Sequence, residues 1–103
     1  KGRNDNIIKI QGHRVELLEI ENILRSLKGI TNCFVFVKEI SDYDKIICAS
    51  VETSKLKTSK IESHLKKYIP NYMLPKNIKI FKKFPTNKSN KVDKYKIKTT
   101  FDF

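Results

Sequence analysis

Glycine and proline occur only three times each in 103 residues, and no repeat or low-complexity linker interrupts the chain. That is one domain's worth of sequence, long enough for a single modest core. Cysteine is also scarce. Cys33 and Cys48 lie in apolar runs without C-x-x-C spacing, which reads as two buried free thiols; a metal site with His13 or His64 is not expected. No apolar run approaches the roughly 20 residues of a membrane span, and nothing resembles a signal peptide. The expectation is therefore a soluble, cytoplasmic protein without a membrane partner. Acidic residues are few in one half only. Residues 1–50 carry 8 Lys and Arg against 7 Asp and Glu, whereas residues 51–103 carry 14 against 4. An excess of this size suits nucleic acid, an anionic membrane surface or a phosphate-bearing substrate. Lysine, isoleucine and asparagine are abundant while arginine is scarce, as AT-rich coding would produce, so most of these lysines are expected only to solvate a surface.

The patterning mixes two periods. "NIIKIQGHRVEL" places Ile8, Ile10, Val15 and Leu17 around a Gly12 turn and predicts two short strands. "EIENILRSLKG" sets Ile20, Ile23, Leu24 and Leu27 at helical spacing, with Gly29 as its stop. "CFVFVKEI" and "KIICASVE" are β-branched and aromatic runs separated by "SDYD", hence a hairpin. "SKIESHLKKYI" offers a capping box of Ser59 and Glu62, a stripe of Ile61, Leu65 and Ile69, and closure at Pro70. "NIKIFKKF" alternates as a strand, and a short helix follows Asp93. The expected class is α+β: a small β-sheet with two main helices packed on it, preceded by a short N-terminal β-hairpin.

Three stretches are odd for a plain packed domain. "GRNDNIIKIQGHRVELLEIE" gathers Arg3, Asp5, Lys9 and Arg14 around Gly2 and Gly12, and a glycine between short strands permits close approach of a backbone or ligand. "IPNYMLP" fixes a bend between two prolines. In "SNKVDKYK", Ser89-Asn90 is turn chemistry, so Lys91 projects from a loop, with Asp93 placed to orient it or to cap the last helix. Each has a bland reading too. Lys91 and Lys9 could be solvated lysines, Asp5 a turn residue, and Arg14 a partner of Glu16 or Glu19; Tyr72 and Met73 read as packing.

In order and spacing these stretches resemble the C-terminal subdomain of the adenylate-forming superfamily. That superfamily includes acyl-CoA synthetases, luciferases, and the amino-acid adenylation domains of non-ribosomal peptide synthetases and D-alanine–carrier protein ligases. The first is similar to GRxDxQ-(V/I)-KI-R-G-x-R-(I/V)-E-L-G-E-IE. "IPNYMLP" resembles LPxYM-(I/V)-P, the form typical of the amino-acid-activating branch, and "FPTNKSNKVDK" resembles LPLTPNGKVDR. The likeness runs from Gly2 to Lys94, with departures at Ile7, Gln11, Leu18 and Asn90, where the family has Gln, Arg, Gly and Gly. Asparagine tolerates the left-handed conformation, so the turn before Lys91 is expected to survive.

The resemblance implies a single C-terminal lid subdomain spanning 1–103, beginning almost at the family's hinge and inactive without an N-terminal adenylation core. With that core, ATP and a carboxylate give an acyl-adenylate and pyrophosphate. A thiol, on a carrier protein's phosphopantetheine or on CoA, then takes the acyl group. Lys91 matches the catalytic lysine, Arg3 and Arg14 the nucleotide-binding positions, Asp5 the hinge, and Lys9 and Gly12 the loop presented in the thioester step. Mg2+ and most ATP contacts are expected from the missing core, and no metal ligand from this chain. An amino-acid-adenylating ligase is the leading expectation. The alternatives are an acyl-CoA synthetase lid and a stand-alone basic RNA-binding module. The last needs aromatics interleaved with basic residues on one sheet face, whereas Phe34, Phe36 and Phe81 sit in runs that look like core, so no nucleic-acid partner is expected.

Overall fold

The computed structural model describes residues 7–10, 13–41 and 44–101. Strands β1 (Ile7–Ile10) and β2 (His13–Glu16) form an antiparallel pair with Ile8 opposite Val15 and Lys9 opposite Arg14. Helix α1 (Leu17–Ser26) follows directly, burying Leu17, Ile20 and Leu24. Strands β3 (Asn32–Ser41) and β4 (Asp44–Glu52) make the anticipated hairpin. Helix α2 (Thr58–Lys66), a 3-10 turn (Asn71–Met73), strand β5 (Asn77–Phe81) and helix α3 (Lys94–Thr99) complete the order. β5 pairs in parallel with β4, so the three-stranded sheet runs β3-β4-β5. The α+β architecture expected from the patterning is what forms.

Strand alternation sorts the core into two clusters, because successive side chains point to opposite faces. Cys33 opposite Val51 and Val35 opposite Ala49 face α1 and α2, together with Ile47, Ile61, Leu65, Ile69 and Met73. Phe36 opposite Cys48 faces the other way, where Phe84, Ile97 and Phe101 close over it. The first cluster is mostly aliphatic and the second mostly aromatic. Phe36 stacks against Phe34 and meets Phe101 edge-on, at centroid distances of 5.3 and 5.1 Å. Each fully buried Leu or Ile is worth about 1.5–3 kcal/mol relative to exposure, so the aliphatic cluster carries most of the stability.

Two local expectations need correction. The Ser59–Glu62 capping box does not form: α2 starts at Thr58, its N-cap position is Lys57, and no side chain caps it. Ser59 thus lies inside the first turn, too far into the helix for its hydroxyl to cap. Likewise α1 ends at Ser26, before Gly29. Gly29 instead takes φ 109° in the turn toward β3, and a side chain there would be strained as well as 3.2 Å from Leu56.

Carboxylates finish what the ladders leave open. Glu21 of α1 accepts from the Val35 N–H at 2.8 Å, satisfying a donor of edge strand β3. Glu52 accepts from the Thr31 hydroxyl at 2.8 Å and from the Phe84 N–H at 2.7 Å, pinning the segment that leaves β5. Both cysteines are buried free thiols, as expected. Burial pushes each thiol up to about 11.

Candidate functional site

The loop between β5 and α3 is a narrow closed ribbon. Thr86 bridges Val92 antiparallel, and the Asp93 N–H donates to the Pro85 carbonyl at 2.8 Å. Within it, the Asn87 N–H donates to the Lys91 carbonyl at 2.8 Å and the Asn90 N–H to the Asn87 carbonyl at 3.0 Å. Asn90 takes φ 63°, the left-handed conformation that glycine would supply and asparagine tolerates. The tip from Lys88 to Lys91 is exposed. Asp93 caps α3 by accepting from the Lys96 N–H at 3.1 Å, which decides between the two roles open to it. Lys91 therefore stands at the rim of a short hydrogen-bonded ring, on a helix-anchored base.

The helix below is held by packing and by cations. Ile97 is fully buried, while Lys94 and Lys98 lay their ammonium groups over the Phe34 ring at 5.2 and 5.9 Å. Lys79 and Lys38 donate to the Thr100 and Phe101 carbonyls, each at 2.9 Å, at the C-terminal end of α3 where cations are favoured. So several lysines of the basic half have structural tasks. The sheet face bearing Phe34 and Phe36 is covered by α3, and Phe36 is buried, which leaves no open aromatic platform of the kind an RNA-binding sheet uses among the described residues.

Arg14 occupies a different place. Exposed on β2, it lines a concavity of about 520 Å³ with Glu16, Glu19, Tyr72 and Met73. The fold thus joins the first odd stretch to the "NYM" of the second. Among the described residues Arg14 makes no ion pair with Glu16 or Glu19; the acidic partner found for an arginine is Glu21, 3.6 Å from Arg25. Met73 is buried in the aliphatic cluster and Tyr72 packs against it, as expected of packing residues, but both also present a surface to the concavity. Sequence reading missed that second role, and the short spacing between Pro70 and Pro75 was its available signal. Among the described residues, none of the 87–91 loop lines the Arg14 concavity. Lys9 lies on β1 opposite Arg14. Arg3, Asp5 and Gly12 lie outside the described residues.

A small mixed sheet with this order of elements, a leading strand pair and an exposed lysine loop before the last helix is the C-terminal subdomain fold of adenylate-forming enzymes. Residues 19–91 match the AMP-binding enzyme C-terminal domain family, and the chain belongs to it. Tyrocidine synthase 3 of Brevibacillus parabrevis is 39% identical over 94 residues, which is 90% of this chain and 1% of that protein. Bacitracin synthase 1 of Bacillus licheniformis is 38% identical, again over 90% of this chain and 2% of its own length. Among solved structures, a four-domain nonribosomal peptide synthetase bound to AMP and glycine aligns at TM-score 0.75 and 34% identity, covering 99% of this chain and 8% of that one. A fatty acyl-CoA synthetase from Mycobacterium tuberculosis reaches the same TM-score at 20% identity over 93% of this chain and 20% of its own, a likeness of fold alone.

Proposed function

We propose that the chain is the mobile C-terminal lid of an ATP-dependent amino-acid-adenylating ligase, and that Lys91 is its catalytic residue. The observation that carries this reading is the Lys91 loop: an exposed ammonium raised on a hydrogen-bonded ring, with Asn90 at φ 63° in the place of a glycine. The peptide synthetases that match at more than 30% identity favour the amino-acid branch over an acyl-CoA synthetase lid, which shares the fold. In the first half-reaction a substrate carboxylate oxygen attacks the α-phosphorus of ATP, the bond to pyrophosphate breaks, and an acyl-adenylate forms. Two anionic groups approach each other in that step. A lysine ammonium aimed between them offsets the charge as it develops, which is electrostatic stabilisation of the phosphoryl-clamp kind.

In the second half-reaction the lid turns about Asp5 and a thiol, on a carrier's phosphopantetheine or on CoA, displaces AMP. Lys9 and Gly12 then face the reacting centre, while Arg3 and Arg14 serve the nucleotide, where a planar guanidinium suits ribose and phosphate oxygens. Arg14 is exposed at a concavity, the position such a contact needs. Among the described residues no group of three or more His, Cys, Asp or Glu could hold a metal ion. The proposal places Mg2+, the phosphate loop and the carboxylate-binding pocket on the N-terminal core. No described helix is long and apolar enough to cross a membrane.

The test is Lys91→Ala in the full-length ligase. Amino-acid-dependent pyrophosphate exchange should fall by about 10²–10³, roughly 3–4 kcal/mol, while transfer from a supplied aminoacyl-adenylate persists. Lys88→Ala and Lys94→Ala, on the same loop and its helix, should each cost about 0–1 kcal/mol. Equal, mild effects of Lys88→Ala and Lys91→Ala would make Lys91 a bystander.

A further inference from the structure

Four hydrogen bonds shape the tip that presents Lys91, and all of them end on Asn87. Its N–H donates to the Lys91 carbonyl at 2.8 Å and its carbonyl accepts from the Asn90 N–H at 3.0 Å. Its side-chain Oδ1 accepts from the Ser89 N–H at 2.8 Å and from the Lys91 N–H at 3.2 Å. Lys91 is therefore bound through both its N–H and its C=O to one residue four positions before it. Two of the four bonds run through a side-chain oxygen and so depend on which residue stands at 87. An asparagine oxygen can imitate a backbone acceptor in this way, closing a turn that the backbone alone leaves half-bonded.

The arrangement does little for folding, because the loop is exposed and water can replace Oδ1 on both N–H groups. Its effect is on geometry. A lysine stem is long and flexible, so where the ammonium arrives depends on how firmly its Cα is held, and misplacement by about 1 Å can cost on the order of 10²-fold in rate. The left-handed Asn90 sits inside the same ring, and without the Oδ1 bonds the turn would have to hold that conformation with two fewer constraints.

We infer that Asn87 is a positioning residue for the adenylation step, holding the 88–91 turn so that Lys91 is aimed before substrate arrives; this rests on the proposed catalytic role of Lys91. Asn87 acts through Lys91 and touches no reacting atom. The motif LPLTPNGKVDR has threonine at this position, whose hydroxyl can accept from the same N–H groups, so Asn87→Thr is the conservative variant.

The experiment compares Asn87→Ala, Asn87→Thr and Lys91→Ala in the full-length ligase by pyrophosphate exchange, by transfer from supplied aminoacyl-adenylate, and by amide hydrogen exchange across residues 84–94. Asn87→Ala should lower the exchange kcat by about 10–100-fold with KM for ATP within about twofold, leave transfer intact, and speed hydrogen exchange at Ser89 and Lys91. Asn87→Thr should restore the rate to within about threefold. A merely structural role would lower both half-reactions together and would not split kcat from KM. If Lys91→Ala is crippling while Asn87→Ala is harmless, or if hydrogen exchange is unchanged, or if threonine does not rescue, the role of Asn87 is overturned and that of Lys91 stands. If Lys91→Ala is itself harmless, both fall, and that variant alone tells the two failures apart.

Discussion

The two faces of the three-stranded sheet are built differently. The face toward α1 and α2 is broad and mostly aliphatic, with Ile20, Leu24, Ile61, Leu65 and Val51 fully buried. The face toward α3 is small and aromatic, its buried members being Phe36, Cys48, Phe84, Ile97 and Phe101, with a rim of lysines over the phenylalanine rings. The aliphatic face resists global unfolding; the aromatic face seats the helix that anchors the Lys91 loop. Stability and presentation of the candidate catalytic group are therefore assigned to opposite sides of one sheet, and the side with the smaller core is the one next to that candidate group. Local opening free energies scale with buried apolar contacts, so α3 should open before the rest.

Breaking the aliphatic face should have the largest effect. Leu65→Ala removes a fully buried side chain from the α2 contact and should cost about 2–5 kcal/mol in urea unfolding, with fluorescence and circular dichroism moving together. A cost below about 1 kcal/mol would mean that this face does not dominate.

A gentler cut on the other face sharpens the contrast. Ile97→Val should cost only about 0.5–1.5 kcal/mol, yet in the full-length ligase it should lower pyrophosphate exchange more than thiol transfer, since α3 anchors the loop. Equal losses in both half-reactions would separate α3 packing from the presentation of Lys91.

The weakest perturbation uses the two thiols as reporters, one per face: Cys33 in the aliphatic cluster and Cys48 in the aromatic one. Under native conditions a thiol reagent should label Cys48 before Cys33, with mass spectrometry giving the order. Reversed order would make the α1 side the looser one. The pH dependence has a definite sign. Burial raises each folded thiol to about 11 from 9.0, so the folded state keeps protons that the unfolded state gives up. The thiols' contribution to stability is whole below about pH 9 and is lost as pH rises toward 11. Replacing both with alanine should flatten that part of the profile.

Much of the fold is legible residue by residue. The β1–β2 pair, α1, the β3–β4 hairpin, α2 and β5 lie where their periodicities place them, because alternation and helical spacing are local consequences of which side chains must leave water. The turn before Lys91 is legible for the same reason: left-handed φ is a property of the residue, and asparagine bears it. Element ends are less legible. The Ser59–Glu62 spacing suggests a cap that α2 does not use, since packing of Ile61 and Leu65 sets where that helix starts, and a cap of about 1 kcal/mol does not override it.

The sequence by itself thus determined which segments are strands and helices, which side of each is apolar, and that an exposed lysine sits on a tight turn before a short helix, whereas the structure decided that Asp93 caps that helix. Only the tertiary structure decided that β5 pairs in parallel with β4, that α3 covers the face opposite α1 and α2, and that Arg14 shares a concavity with Tyr72 and Met73. It also decided that Asn87, not singled out by any local pattern, gathers the bonds of the Lys91 loop. The reason is physical. Periodicity records that a face is buried but not against what, and the choice among partners depends on contacts between residues far apart in the chain, whose energies no short window contains.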